Sequence, residues 1–315
     1  KKMIIAAKQS GADAVKFQTF SAELLVTPKT PKVKYQEKFT STKESHYAMI
    51  KSLELSKDKH YTLMDFCKKQ KIHFMSTPYD TESAKFLNEI KCDTFKTSSA
   101  DLVDLHLHSY LAKTGKTVII STGMANLEEI RDCVEIYRNH LNNNFILLHC
   151  VSNYPCTDQS LNMSVLPKLA STFNCLVGYS DHSVSNEAAN ISVSLGGVVI
   201  EKHFTIDKEL PGPDQKASSL PQEFSLLVKT VKNTQLILGV DEKKCQPEES
   251  QMASVSRKSL TLIVPLAKGE KLKEKHILLK RPGTGLYYKE LKKLLNRKAK
   301  KSLAINHQIQ HEDFD

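Results

Sequence analysis

Seven short β-branched runs, each followed by room for a helix, restrict the fold of this chain more than any other feature. They are 14–19, 72–77, 94–99, 117–122, 145–150, 176–180 and 198–203. From the second run on they begin at 72, 94, 117, 145, 176 and 198, a spacing of 22 to 31 residues, which one strand-plus-helix unit needs. Helical patterns over 81–89, 127–140 and 186–195 fill gaps between them. Seven consecutive βα units predict an α/β fold, a (β/α)8 TIM barrel rather than an open sheet. The eighth unit is missing at the front. Residues 1–11 read as the second half of an amphipathic helix ending on Gly11, so the chain is expected to begin inside the first helix, without the first strand. The first gap, from 14 to 72, holds the polar segment 27–34, which reads as a loop over the barrel mouth.

The periodic pattern breaks near Leu238. Residues 1–238 read as the barrel, 239–254 as a polar linker with no apolar period, and 255–315 as a small second domain. Within that domain the run from Arg257 to Pro265 reads as a strand, Lys268-Gly269-Glu270-Lys271 as a turn, and the run from Ile277 to Gly285 as a strand with a loop. About 60 residues make a marginal core, so this module is expected to lean on another surface.

Composition narrows the partners. With 315 residues, 40% hydrophobic and 25% charged, the chain is ordinary globular, and no apolar run approaches the roughly 18 residues of a bilayer span. Seven cysteines without CxxC spacing argue against a disulfide framework and for a reducing, cytoplasmic setting. The net charge of +10 raises nucleic acid as a partner. The lysines are spread along the chain, however, and no aromatic-interleaved RNA motif appears, so neither nucleic acid nor membrane is expected. A solvated basic surface with some bias toward anionic substrates fits better.

Chemistry in a (β/α)8 barrel sits at the C-terminal ends of the strands, and the polar residues collect there. Lys16 and Gln18 lie two apart, hence on one face, as do Ser180 with His182 and Glu201 with His203. Thr77, Lys96 with Ser99, Ser121 and Thr122 close their runs, and Tyr154 follows the fifth. Two lysines and several hydroxyls converging on one mouth suit a phosphate or carboxylate. A strand-interior lysine such as Lys16 or Lys96 would cost several kcal/mol if left unpaired, which favours a functional role. His182 and His203, flanked by Asp181 and Glu201, could bind a divalent ion and leave positions open; either histidine alone could equally be a satisfied polar residue at a strand end. Asp214 stands in a Pro-Gly-Pro loop, as a turn residue or as a carboxylate for sugar hydroxyls. Arg281, in Arg-Pro-Gly-Thr-Gly, is well placed to present one guanidinium to a ligand.

Together these strings resemble the bacterial sialic acid (N-acetylneuraminate) synthases, a family that includes legionaminic and pseudaminic acid synthases. The resemblance rests on Lys16-Phe-Gln-Thr-Phe20, Ser76-Thr-Pro78, Ser121-Thr-Gly-Met124, His149-Cys150 with Tyr154-Pro155, Ser180-Asp-His182, Glu201-Lys-His-Phe-Thr205 and Gly212-Pro-Asp214. The string from Lys280 to Gly285 looks like the antifreeze-like (SAF) domain that ends those enzymes. The resemblance implies condensation of phosphoenolpyruvate with an N-acetylated mannosamine-type sugar, releasing phosphate, with Mn2+ or Mg2+ assisting. It implies that His182 and His203 are metal ligands with Glu201 nearby. Lys16, Thr77, Lys96, Ser99, Ser121 and Ser180 would form the phosphoenolpyruvate site, and Gln18, Tyr154 and Asp214 would contact the acceptor sugar. It further implies a domain-swapped homodimer in which Arg281 acts on the partner's substrate.

The sequence departs from that family in three places. The glutamate-bearing first-strand motif is absent from these residues. Asp101 stands where a glutamate is common, one methylene shorter, and Gln215 and Ser152 replace other residues; these changes bear on acceptor choice. Two other readings stand beside the synthase: a metal-dependent pyruvate aldolase, which would not explain the Arg-Pro-Gly-Thr-Gly module, and a truncated, non-catalytic paralogue.

Overall fold

Each of the seven runs becomes a strand of one parallel sheet: β1 (Ala14–Thr19), β2 (His73–Pro78), β3 (Thr94–Thr97), β4 (Thr117–Ser121), β5 (Phe145–Cys150), β6 (Leu176–Asp181) and β7 (Ile200–Lys202). The computed structural model describes residues 1–33 and 44–315, so the expected mouth loop 27–34 lies outside the described residues at Lys34. Strand order in space equals order in sequence, and every neighbouring pair is parallel. A doubly wound sheet reverses direction at a switch point, whereas a barrel does not. The sheet also curls: Lys16 on β1 and Glu201 on β7, at its two ends, bring their charged atoms within 3.3 Å. The fold is a TIM-barrel-like α/β fold.

Local chemistry sets the helix starts. Asn126 opens the helix Leu127–Asn139 with a reciprocal cap: its side chain accepts from the amides of Glu128 and Glu129, while Glu129 accepts from the Asn126 amide. Asp80 and Asp104 cap the helices Thr81–Glu89 and Leu105–Lys113 in the simpler way. Outward strand residues such as Phe95, Val118, Ile120, Leu147, Val177 and Tyr179 are buried beneath these helices, which is why parallel strands read as near-continuous apolar runs. Inside, Met75, Ile119 and Leu148 form a separate cluster with Ala14, Ile146 and Val199, filling the barrel below the strand ends. Gly178 is required there, because a Cβ would stand 2.4 Å from the Val199 carbonyl oxygen and 2.7 Å from Leu148.

The chain divides into two compact units, Lys1–Gly239 and Val240–Asp315. In the second, β8 (Ser259–Leu262) and β9 (Ile277–Lys280) pair antiparallel over a core that includes Leu260, Leu262, Leu266, Leu294, Ile309 and Phe314. Residues Ser250–Ser256 form a helix, with Glu249 accepting from the Gln246 amide at 2.7 Å just ahead of it. Seven residues are too few to show a period in sequence. The Gly283 amide donates to the Ser254 carbonyl at 2.7 Å, so the Arg-Pro-Gly-Thr-Gly loop rests on this helix. Ser259 and Gln308 both donate to the Pro282 carbonyl, and Gln310 donates to that of Thr284. The loop is thus a stiff mount for an exposed Arg281. All seven cysteines are free thiols. No described helix is long and apolar enough to cross a membrane.

Candidate active site

Register decides which side chains share the barrel interior. Neighbours in a parallel sheet that are partners in register point to the same face. Gln18 partners Thr77, Lys96 partners Ile119, and Ser121 partners Leu148. Cys150, Ser180 and Glu201 form one continuous row across β5, β6 and β7. The polar members of these rows lie toward the C-terminal ends of the strands.

At the centre stands Glu201. Its Oε1 lies 3.3 Å from Lys16 Nζ and its Oε2 lies 3.3 Å from Lys96 Nζ. Lys96 is 4% exposed and also donates to the Ser121 hydroxyl at 2.5 Å and the Thr97 carbonyl at 2.6 Å. Both strand-interior lysines are therefore paired. Burial pulls the Lys96 ammonium pKa down, with Glu201 opposing it. Burial pushes the Glu201 carboxyl up, but Lys96, Lys16 and His203 outweigh it and hold it near 2. Two cations on one anion leave this trio at net +1, a charge an anionic substrate can use. Around it, the Thr77 hydroxyl is buried without a hydrogen-bond partner, a donor held ready for a ligand. Ser99 accepts from the Gly123 amide at 3.0 Å. Gly123 has no room for a Cβ, which would meet the hydroxyls of Ser152 and Ser99 at 2.4 and 2.7 Å.

Beside the trio are His182 and His203, with ring centroids 5.6 Å apart. His182 Nδ1 lies 2.8 Å from the Val151 carbonyl oxygen. A carbonyl cannot donate, so Nδ1 carries the proton, and in the neutral ring the Nε2 lone pair is free. Burial lowers the His203 pKa and keeps that ring neutral, with Asp214 the largest opposing influence. Tyr154 lies against both: its centroid is 4.0 Å from that of His182 and 5.5 Å, edge-on, from that of His203. Two imidazoles, each offering a lone pair when neutral, are a donor set that suits a divalent ion with open positions for oxygen ligands. They do not complete one: among the described residues no group of three or more His, Cys, Asp or Glu forms a metal-holding set.

The expected residues thus gather at one end of the sheet, with Asp214 near His203 in the field that acts on it. Asp101 follows β3, accepts from Ser98 at 2.6 Å, and is pushed up by burial to about 6. Arg281 belongs to the second unit and is described with it. Sequence reasoning gave no role to Cys150 or Tyr79. Cys150 lies in the inner row, its thiol 3.7 Å from His182 Nδ1; burial raises its pKa, but His182, Ser99 and Ser180 together bring it below the ordinary thiol value. The alternation from Ile146 through Leu148 was the available signal. Tyr79, directly after β2, feels Asp101, Asp214, Tyr154 and Glu201, and burial first of all drives its phenol pKa far up.

This barrel end, with its paired lysines and paired histidines, is that of an enzyme. The chain belongs to the NeuB family, whose model matches residues 3–243. It is 38% identical over 308 residues to the N,N'-diacetyllegionaminic acid synthase of Legionella pneumophila, covering 96% of this chain and 86% of that protein. It is 30% identical over 315 residues to the pseudaminic acid synthase of Helicobacter pylori, covering 100% and 93%. Among solved structures it resembles the N-acetylneuraminic acid (sialic acid) synthetase of Leptospira borgpetersenii in complex with citrate. There the TM-score is 0.70 and the identity 33%, with 80% of this chain and 83% of that one covered.

Proposed function

We propose that this enzyme condenses phosphoenolpyruvate with an N-acetylated mannosamine-type sugar, releasing phosphate and forming a sialic-type acid. The observation that supports this most directly is the Lys16–Glu201–Lys96 trio beside the His182–His203 pair, an anion site next to a site for a polarised carbonyl. Lys16 and Lys96, with Ser121, Thr77, Ser99 and Ser180, hold the phosphate and carboxylate of phosphoenolpyruvate as point charges and short donors. Glu201, with one carboxylate oxygen 3.3 Å from each, sets the spacing of the Lys16 and Lys96 side-chain nitrogens. Gln18, Tyr154, Asp101 and Asp214 contact the acceptor. A divalent ion, Mn2+ or Mg2+, held by His182 and His203 would supply Lewis acidity toward the sugar aldehyde. The enol carbon attacks that aldehyde, the lysines stabilise the shifting charge, and water and C–O cleavage complete the release of phosphate.

The second unit is read as an SAF domain whose Arg281 caps the barrel of a partner in a swapped homodimer. A legionaminic-type acceptor, carrying two acetamido groups, is the second reading; the 38% identity to the Legionella pneumophila protein supports it.

The deciding experiment measures phosphate release from phosphoenolpyruvate by the full-length protein, with N-acetylmannosamine or a diacetamido sugar, in Mn2+ or excess EDTA. Sugar-dependent, EDTA-sensitive release is expected. Release that does not depend on sugar would overturn the condensation in favour of simple hydrolysis, and no release with any N-acetylated mannose-type acceptor would overturn it in favour of a non-catalytic relative.

A further inference from the structure

The last rung of the β6–β7 ladder is an ion pair on the outer face of the sheet. Asp181 and Lys202 are partners in register, and Lys202 Nζ lies 2.6 Å from Asp181 Oδ2. The two side chains are 0% and 5% exposed. Both have further partners. Asp181 Oδ1 accepts from the Ser183 amide and hydroxyl at 2.8 and 2.6 Å, and Lys202 donates to the carbonyl of Ser183 at 2.8 Å and reaches that of Ser185 at 3.5 Å. One residue further along the two strands stand His182 and His203, on the opposite, inner face. A slip of one residue in a strand moves every side chain to the other face, so whatever fixes this rung fixes which way the histidines point. From the other side His182 is held by Val151 and Cys156 through Nδ1 and its carbonyl.

We propose that Asp181 and Lys202 are positioning residues for the histidine pair: a buried clamp outside the barrel that sets the register and the 182–186 turn inside it. Neither residue touches the interior, and neither takes part in the chemistry proposed above. A buried ion pair is weak evidence for stability, since replacing both partners is often neutral, while removing one leaves an uncompensated charge. The clamp has a second product, geometry, because Lys202 ties two carbonyls that no apolar replacement can tie. The inference rests on the reading of the histidines as ligands of a divalent ion, and its test separates the two.

The test compares the intact protein with Lys202→Met and with the double variant Asp181→Asn, Lys202→Met. Mn2+ affinity is read from the electron paramagnetic resonance of the free ion, and the His182 tautomer from long-range 1H–15N imidazole spectra. Outer partners of metal-binding histidines are worth about 10–100-fold in affinity, so Mn2+ dissociation constants should rise by that factor in both variants. The Michaelis constant for phosphoenolpyruvate should stay within about threefold, since Lys16 and Lys96 are untouched. The double variant should recover the unfolding midpoint that the single variant loses, yet keep the weakened Mn2+ binding. Wild-type Mn2+ affinity in the double variant, with the His182 Nδ1–H form intact, overturns the proposal. If the unsubstituted protein binds no Mn2+, the metal reading has failed, and the tautomer comparison alone decides: loss of the Nδ1–H form on removing Lys202 upholds the clamp, and its retention refutes it.

Discussion

The Nδ1 of His182 stands 2.8 Å from the carbonyl oxygen of Val151. That contact fixes the tautomer and leaves the Nε2 lone pair of the neutral ring free, on a ring whose centroid is 5.6 Å from that of His203. With only two imidazoles in the set, neither is dispensable. His203→Ala is expected to lower metal-stimulated turnover by at least about 100-fold while the thermal unfolding midpoint moves by only a few degrees. An Mn2+ titration of turnover alongside circular dichroism melting checks this. Unchanged turnover would remove the metal assignment.

Glu201 offers one carboxylate to two ammonium groups. Glu201→Gln removes the one anion that both lysines share among the described residues and leaves Lys96, 4% exposed, beside Lys16. Breaking a fully buried charge cluster by removing one member costs about 3 kcal/mol; here Glu201 and Lys16 are 22% and 25% exposed, so the cost should be smaller. Phosphoenolpyruvate brings its own negative charge and should restore part of that loss, so it should protect the variant against urea more than it protects the unsubstituted protein. Equal protection in both would mean that the lysines do not meet the substrate's anionic groups.

Much of this site is legible in sequence because strand alternation is strict. Lys16 with Gln18, Ser180 with His182 and Glu201 with His203 each sit two apart, and the helix Thr81–Glu89 shows its period plainly. What alternation could not show is partnership across strands. Nothing in the sequence says that Lys16, on the first strand of the sheet, meets Glu201 on the seventh, because that contact depends on the curl of the sheet. The Asp181–Lys202 rung was equally hidden, since outward charges on a buried strand read as an exception until register pairs them. Short elements such as the helix Ser250–Ser256 carry too few residues for a period to emerge.

Asp101 should make stability fall as pH rises. Burial raises its carboxyl from 3.8 to about 6 in the fold, so the folded chain holds this proton more tightly than the unfolded chain does. The protonated form therefore favours folding; the advantage is full below the unfolded value and is lost as pH climbs through 6. Asparagine can still accept from Ser98 and carries no charge, so Asp101→Asn should stabilise the protein at neutral pH by on the order of 2 kcal/mol and have little effect near pH 4. Urea unfolding across that range measures it. A stabilisation that is the same at both ends would show that the carboxyl is not strained by burial. If Asp101 also meets the acceptor sugar, the same variant should alter the sugar's Michaelis constant and leave that of phosphoenolpyruvate alone.

Arg281 stands on a mount that leaves its guanidinium exposed while Pro282 and Thr284 are held from behind by Ser259, Gln308 and Gln310. An exposed arginine on a rigid loop adds little to stability, so Arg281→Ala should fold as the unsubstituted protein does. If it reaches a sugar acetamido group in an assembled dimer, its loss should raise the Michaelis constant for the sugar about tenfold, while that for phosphoenolpyruvate holds. Gly283→Ala tests the mount rather than the guanidinium. A Cβ there would stand 2.6 Å from the Arg257 Cβ and 3.0 Å from the Ala253 carbonyl oxygen, so the loop must shift. That variant should reproduce the sugar defect with the arginine still present. Steady-state kinetics on both variants, with each substrate varied in turn, separates the outcomes. A sugar constant unchanged in Arg281→Ala would end the capping role, and a defect confined to Gly283→Ala would place the loop, not its arginine, in the function.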